Sequence, residues 1–425
     1  MSMPLSKNWE PAPAEPSLSN SPIVVQKYGG SSVATPERLR QVAERVAQTQ
    51  KSGVRVVVVV SAMGKTTDEL IALAKSVSEN PSRRELDMLL SCGERISMAL
   101  LAMALSELGV PAISFTGSQS GILTNDRHSG ARIIEVRPVR IQDELERGYV
   151  VIVAGFQGMS YKREITTLGR GGSDTTAVAL AAALGASHCE IYSDVDGVYS
   201  ADPRVVPQAQ HIPSLGYAEM QELAAHGAKV LNAQAVEWAQ RAGIVIHARK
   251  TGPISSTVRE TRVGAVASME PERSERRATA VTSSARVVQI AAGCGAEVLA
   301  VLQREGVELR ELELDAEGQL RAAFVRDDLP DFARTQAQLL AASAGSLSVD
   351  EGHGSVTAVG PGLGTSPQIL LAVDAALRAA GLKAQRYRQS GLRLSIYLPS
   401  AQVPSATQLV HKLLCGAPPA SDACP

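Results

Sequence analysis

The chain is short of aromatic residues, of cysteine and of any excess of charge, and each shortage removes a class of protein. Only 3% of its 425 residues are aromatic, so Ala, Val and Leu must supply most of the packing that a 44% hydrophobic content allows. Forty-two basic residues stand against 43 acidic ones, which leaves no electrostatic footprint for nucleic acid or an anionic membrane. The five cysteines are scattered, with neither metal-ligand spacing nor a disulfide framework, and this points to a reducing, cytoplasmic compartment. No apolar run has the length of a membrane span; the valine run at 56–60 is strand-sized. There is no G-x-G-x-x-G fingerprint after the first apolar strand and no Walker A motif, and the seven histidines form no Ser-His-Asp grouping.

What is present has a clear order. The length implies two or three domains. Residues 1–21 carry Pro11, Pro13 and Pro16 among polar residues, with Pro22 just beyond, and read as a disordered tail without the apolar core of a secretion signal. Over 22–262, short β-branched runs (23–25, 55–60, 112–115, 149–154, 190–193, 244–247) alternate with Ala- and Leu-rich helical stretches (36–49, 86–108, 175–184, 217–225, 232–242). That alternation predicts a three-layer α/β domain, with a mostly parallel sheet between helices. Residues 263–276, rich in Glu, Arg and Ser, read as a connection. Two units of β-α-β-β-α order follow, at 277–350 and 351–418. Each is small enough to need the other, or another subunit, to bury its core.

The chemistry concentrates at Thr166-Thr167-Leu168-Gly169-Arg170-Gly171-Gly172-Ser173-Asp174-Thr175-Thr176, between an apolar strand and an apolar helix. Glycines let backbone approach a ligand, the helix start offers free N–H groups to an anion, and Arg170 adds a planar fork. Lys27-Tyr28-Gly29-Gly30 places a second cation beside a glycine turn, and Ser61-Ala62-Met63-Gly64 with Thr67 follows the valine strand. Ligands of open α/β sheets sit beyond such strand ends. Glu94, next to Gly93 in an apolar helix, is either an exposed charge or a partner for a ligand ammonium. The run from Ser193 and Asp194 through Tyr199 to Asp202 and Arg204 suits a purine and its ribose; its Asp-x-Asp-Gly lacks the later ligands of a calcium loop. Gly227-Ala228-Lys229 supplies a further candidate phosphate cation. Cations and glycine loops in this number point to phosphoryl transfer.

In their order along the chain, Lys27 to Val33, Ser61 to Gly64, Thr166 to Asp174 and Asp194 to Tyr199 resemble aspartate kinase, an amino-acid-kinase-fold enzyme with paired C-terminal ACT domains. The resemblance covers about 22–262, and the tandem units resemble two ferredoxin-like ACT domains. It implies ATP-dependent phosphorylation of the β-carboxylate of L-aspartate, the first step toward lysine, methionine and threonine. Lys27 would neutralise the transferring phosphate, and Arg170 with Ser173 would grip the substrate α-carboxylate. Asp174 and Glu94 would hold its ammonium and orient neighbouring cations, while Ser61, Thr67 and Phe156 would line its pocket. Lys27, Tyr28, Gly29, Gly30, Ser193, Asp194, Tyr199, Asp202, Arg204 and Lys229 would bind ATP, with Mg²⁺ held by phosphates and water rather than by a protein metal ligand. The strand at 278–283 would pair into the second ACT unit, and the chain would form a homodimer or higher homo-oligomer through these units. Where feedback-regulated relatives carry an Asp-Lys-Pro-Gly-like turn and a Gln-Asn pair, this chain has Ala292-Gly293-Cys294-Gly295 and Leu309-Arg310-Glu311-Leu312. The second unit keeps Gly360-Pro361-Gly362. Weak or altered response to lysine and threonine is the expectation. The alternatives are a catalytically weak effector-binding protein with ACT domains, or an enzyme of the same fold acting on another carboxylate.

Overall fold

The computed structural model describes residues 21–252, 259–265, 278–329 and 331–416. All but the last residue of the tail expected over 1–21, and most of the connection expected over 263–276, lie outside the described residues. The N-terminal two-thirds is built on an eight-stranded sheet in the order Ser214–Gly216, Glu260–Gly264, Ile246–Lys250, His188–Ser193, Ile23–Tyr28, Arg55–Val60, Val150–Ala154, Ala112–Phe115. Ile23–Tyr28 runs parallel to both neighbours, with Lys27 opposite Val59 on one side and Ile191 on the other. Among the described residues, the only antiparallel pairing in this sheet joins Ile246–Lys250 to Glu260–Gly264. The valine strand is central because it is covered on both faces, which branched side chains fill well.

One face is covered by Pro36–Lys51 and Arg83–Glu107, the other by Gly172–Leu184, Tyr217–Ala225 and Ala233–Ala242. Pro36–Lys51 starts where a helix should, with Thr35 accepting the Arg38 N–H (3.3 Å) and Pro36 in the first turn. Gly172–Leu184 is buried almost all round, in keeping with its alanine-rich, uncharged sequence after Asp174. The Arg83–Glu107 helix is long and apolar enough, by length and composition alone, to cross a membrane, contrary to the expectation that no segment is. Its apolar residues are interleaved with small polar ones rather than run together. Leu90, Leu101 and Leu105 are buried under the sheet, whereas Ile96 and Met103 are exposed.

A second layer sits beside the first site-bearing sheet. Ile133–Val136, Ile122–Thr124, Gln157–Ser160 and Ile165–Thr167 form a four-stranded sheet that the sequence pattern did not announce. Strands of three or four residues are too short to show a period of two. The strand expected at 244–247 lies at Ile246–Lys250, because Gly243, at φ +69°, closes the helix before it and Ile244 still donates back to Ala239 (3.0 Å).

The C-terminal third is one six-stranded antiparallel sheet: Leu309–Leu314, Leu320–Val325, Ala280–Ala292, Ser348–Val359, Arg393–Pro399, Arg386–Ser390. Helices Gly295–Glu305 and Phe332–Ala342 cover one half, Pro367–Ala379 and Val403–Leu414 the other, each half with its own core. A single strand, Ala280–Ala292, serves both halves. Residues 280–284 pair with 355–359, and after an irregularity 287–292 pair with Leu320–Val325. Sequence reading had split this strand into two. This strand also ties the C-terminal sheet to the N-terminal part, with Val281 N–H donating to Ser200 O (2.7 Å); Arg393, on the strand Arg393–Pro399, adds a pair with Glu222 (3.1 Å).

Leu101 is wholly buried between Arg83–Glu107 and the sheet. Leu101→Ala is expected to cost about 2–5 kcal/mol, read as an earlier unfolding midpoint in urea for the full chain.

Candidate active site

The strands of the large sheet end along one edge, and the loops that leave them interlock. Tyr28 O accepts the Ser61 N–H (3.1 Å), Val60 O accepts from Gly155 (3.0 Å) and Tyr192 O accepts from Gly29 (3.1 Å). Gly30 O accepts from Gly64 (3.0 Å), and a Cβ at Gly30 would lie 2.8 Å from Ala62 O. Only glycine fits there. The sequence elements Lys27–Gly30, Ser61–Gly64, Gly155-Phe156 and Ser193 are thereby gathered at one place. Thr67 is half-buried in the first turn of Thr66–Val77, adjoining the Ser61 loop.

The Gly169–Asp174 segment folds over this edge. Gly169 and Gly171 take φ of +78° and +68°, and a Cβ at Gly171 would meet Asn232 Nδ2 at 2.6 Å. Asn232 uses that amide to hold Arg170 O (2.9 Å), and its oxygen accepts from Thr175 Oγ1 (3.2 Å). Gly171 is the residue before the helix and no side chain caps it; Ser173 and Asp174 lie within the first turn. Neither is therefore occupied as a cap. Asp174 instead faces Lys27, Nζ to Oδ1 2.6 Å, with side chains only 11% and 10% exposed. Ser173 is buried against Gly155. Phe156, a non-glycine at φ +68°, donates its N–H to Thr176 Oγ1 (3.2 Å). Such a backbone is strained and persists because its surroundings hold it.

Arg170 is exposed and lines a cleft of about 860 Å³ together with Asp174 and Lys229; Arg127 and Ser129 form part of its wall. Asp174 thus joins the two cations that sequence reading picked out: it pairs with Lys27 and shares the cleft with Arg170.

Glu94 is buried, at 3% exposure. One carboxylate oxygen accepts the Ala62 N–H (3.1 Å), and the other is buried with no hydrogen-bond partner. Burial pushes its pKa up to about 7, against two weaker backbone hydrogen bonds that pull it down. The exposed-charge reading of this residue is excluded.

The loop after His188–Ser193 is more open. Ser193 bonds within its own turn (Oγ to Val195 O, 3.3 Å), and Tyr199 donates to Asp196 (2.9 Å). Asp202 and Arg204 form an exposed two-pronged pair (2.7 and 3.0 Å) that lowers the Asp202 pKa, with Lys229 adding a smaller effect. Asp194 and Lys229 are exposed. These groups border the same edge as Gly29 but are not locked to the Lys27–Asp174 pair.

Two polar residues of the site were missed in the sequence. Asn232 was read only as the start of a helix. Asp87 is wholly buried and accepts hydrogen bonds from Thr167 Oγ1 (2.6 Å), His128 Nδ1 (2.8 Å) and Ser129 N–H (3.1 Å). Burial raises its pKa in spite of these donors. Its signal was available: Asp87 and Glu94 stand seven residues apart, two helical turns, on one face of an apolar helix.

Because the folded pKa of Glu94 lies above that of an unfolded glutamate, its stabilising contribution is complete below about pH 4.5 and disappears as pH rises through about 7. Glu94→Gln is expected to flatten that part of the profile. Urea midpoints at pH 5 and pH 8 should differ less in the variant than in the wild type.

The amino acid kinase family model matches residues 22–249. The aspartokinase of Mycolicibacterium smegmatis is 42% identical over 408 residues, covering 92% of this chain and 95% of that protein. The structure of E. coli aspartokinase III with aspartate and ADP, in its R-state, is 26% identical and overlays with a TM-score of 0.79, covering 92% of this chain and 99% of that one. Its T-state, with lysine and aspartate, overlays less closely, at a TM-score of 0.68 and 27% identity over the same shares. With an α/β kinase fold, a second sheet of tandem units and likeness along nearly its whole length, this chain belongs to the aspartokinase family.

Proposed function

We propose that the chain transfers the γ-phosphoryl group of ATP to the β-carboxylate of L-aspartate, giving 4-phospho-L-aspartate and ADP, the first step toward lysine, methionine and threonine. The observation that carries this reading is the largely buried Lys27–Asp174 pair at the first turn of Gly172–Leu184, whose Asp174 lines the same cleft as Arg170. The E. coli relative solved with aspartate and ADP supports it.

An aspartate side chain, with a pKa of roughly 4, is already ionised at neutral pH, so the reaction needs no strong base. Its obstacle is repulsion between a carboxylate and a polyphosphate. Lys27 offsets that repulsion at the transferring phosphate, helped by the helix start and the Gly29-Gly30 backbone. Arg170 and Ser173 hold the α-carboxylate. Glu94, with its unpartnered oxygen, and Asp174 hold the ammonium. An ammonium beside Glu94 favours the ionised carboxylate, so aspartate binding releases a proton below about pH 7. Ser61, Thr67 and Phe156 line the amino-acid pocket. Ser193, Asp194, Tyr199, Asp202, Arg204 and Lys229 receive the nucleotide, with Asp202 and Arg204 exchanging their mutual pair for it. No group of three or more His, Cys, Asp or Glu among the described residues is placed to hold a metal ion. Mg²⁺ fits as the companion of ATP, carried by phosphate oxygens and water, where it neutralises phosphate charge.

The reading extends to the rest of the chain. Residues 22–262 form the catalytic unit, and 277–350 and 351–418 form two ACT-like units. These units associate the chain into a homodimer or larger homo-oligomer; Leu312 and Leu314 are about half exposed on the sheet's edge strand, which an unpartnered edge ordinarily avoids. Cytoplasmic placement accords with the cysteines among the described residues, all four of which are free. The ACT-like units are the place for an amino-acid effector, and feedback by lysine and threonine there is weak or altered.

Aspartyl hydroxamate should form from aspartate, ATP and hydroxylamine; a folded protein that forms none rejects the proposal. Lys27→Ala and Asp174→Ala are each expected to lower turnover by at least about tenfold, as loss of a transition-state contact does, with circular dichroism unchanged. Low-millimolar lysine and threonine, singly or together, are expected to leave most of the activity; abolition of it would show ordinary feedback control.

A further inference from the structure

Asp87 is a buried carboxylate that the proposed chemistry does not use, and its surroundings are a closed ring of hydrogen bonds. Thr167 donates its hydroxyl to Asp87 Oδ1 (2.6 Å). Thr167 O in turn accepts the N–H groups of Gly130 (3.1 Å) and Ala131 (2.8 Å). Ser129, next in the chain, returns to Asp87 through its N–H (3.1 Å) and its hydroxyl (3.4 Å), and His128 Nδ1 adds a contact at 2.8 Å. Ser129 is held at φ +60°, a conformation a serine adopts only when its neighbours hold it there. A carboxylate taken wholly out of water is costly unless several donors satisfy it. Four donors from three residues converge on this one.

The ring matters because of what its members adjoin. Thr167 stands three residues before Arg170, and Ser129 and Gly130 share the walls of the cleft with Arg170 and Asp174. Asp87 itself stands on the helix that carries Glu94, two turns earlier. We propose that Asp87 is a positioning residue for the amino-acid substrate: it fixes the Thr167–Arg170 segment and the 128–130 loop, two adjoining pieces of the cleft wall, to the helix that presents Glu94. Asp87 touches no substrate. It sets the distance between the group for the α-carboxylate and the group for the ammonium. This inference rests on the aspartate-kinase reading above and deepens it. Misplacing one of those two contacts weakens the binding and orientation of aspartate and leaves the nucleotide loops after Ser193 untouched.

The test is steady-state kinetics of the full chain with L-aspartate and MgATP varied separately, alongside thermal unfolding, for wild type, Asp87→Ala, Asp87→Asn and Thr167→Val. Asp87→Ala is expected to raise KM for aspartate by at least about tenfold and to leave KM for MgATP within about twofold. Asp87→Asn keeps an acceptor oxygen for the Ser129 N–H and should fall between wild type and Asp87→Ala. Thr167→Val removes one donor at nearly constant volume and should raise KM for aspartate about threefold or more. Should Asp87→Ala fail to fold, Thr167→Val decides. An aspartate KM within about twofold of wild type in a folded Asp87→Ala, or in Thr167→Val where the first does not fold, overturns the proposal, as does an equal rise in both KM values. An active wild type with unchanged variants sinks this inference alone; a wild type that makes no acyl phosphate from aspartate sinks the function and the inference together.

Discussion

The site depends on an ion pair in a place where ion pairs are poor stabilisers. Lys27 and Asp174 meet at 2.6 Å with about nine-tenths of each side chain out of water. Desolvating two charges roughly cancels their attraction, and an apolar pair of similar volume would serve stability as well or better. Removing one partner alone is another matter, since it strands a buried charge at a cost of about 3–5 kcal/mol. The pair therefore constrains the sheet: Lys27 must stay at the end of Ile23–Tyr28 and Asp174 in the first turn of Gly172–Leu184. An arrangement neutral for folding but unforgiving of change suits residues held in readiness for a charged ligand. On the proposed assignment, Asp174 keeps the Lys27 ammonium oriented toward the phosphate while the helix start adds its own positive potential.

Much of this arrangement was legible beforehand, for identifiable reasons. Long apolar runs and a strict alternation of strand and helix expose a parallel sheet, so the runs at 55–60 and 149–154 were found with their neighbours. Lys27, Arg170 and Asp174 stood out because charged residues beside paired glycines have few structural duties. Asp87 did not stand out, because nothing near it in sequence is unusual; its donors are His128, Ser129 and Thr167, at least 41 residues away. The four-stranded sheet was hidden for a related reason. Gln157-Gly158-Met159-Ser160 makes a strand through partners at 123–124 and 165–167, not through its own composition. The continuity of Ala280–Ala292 was obscured by the polar stretch Ser283-Ser284-Ala285-Arg286, where the ladder is irregular and side chains turn outward.

One helix gathers the consequences. Arg83, Asp87 and Glu94 follow one another along Arg83–Glu107 over about 16 Å, at 1.5 Å per residue. At its first residue Arg83 pairs with Glu305 (2.6 Å), at the end of the first helix of the C-terminal sheet. At its second turn Asp87 grips the 128–130 loop, and the neighbouring Arg127 lays its guanidinium over Gly306, where a Cβ would collide with it. Gln234, two residues into the helix that Asn232 caps, donates to Glu308 (2.6 Å). The floor of the cleft and the first C-terminal unit are consequently fastened to the same few side chains.

That geometry limits how the two parts of the chain can move. Interfaces packed by discrete ion pairs shift between alternative pairings rather than deform smoothly. A displacement of Gly295–Glu305 relative to the large sheet has to break the Arg83–Glu305 pair or carry the helix with it. In the second case Glu94 moves with respect to Ala62, whose N–H it accepts, while Asp87 pulls on Thr167 and so on the approach to Arg170. On the proposed assignment, the substrate ammonium and α-carboxylate contacts would change together, because both are tied to one helix. The nucleotide loops, anchored through Ser193 and Gly29 to the opposite strands, would change least. Any ligand that binds the C-terminal sheet and prefers one position of that helix is thus placed to alter aspartate binding before it alters ATP binding, and it needs no contact with either.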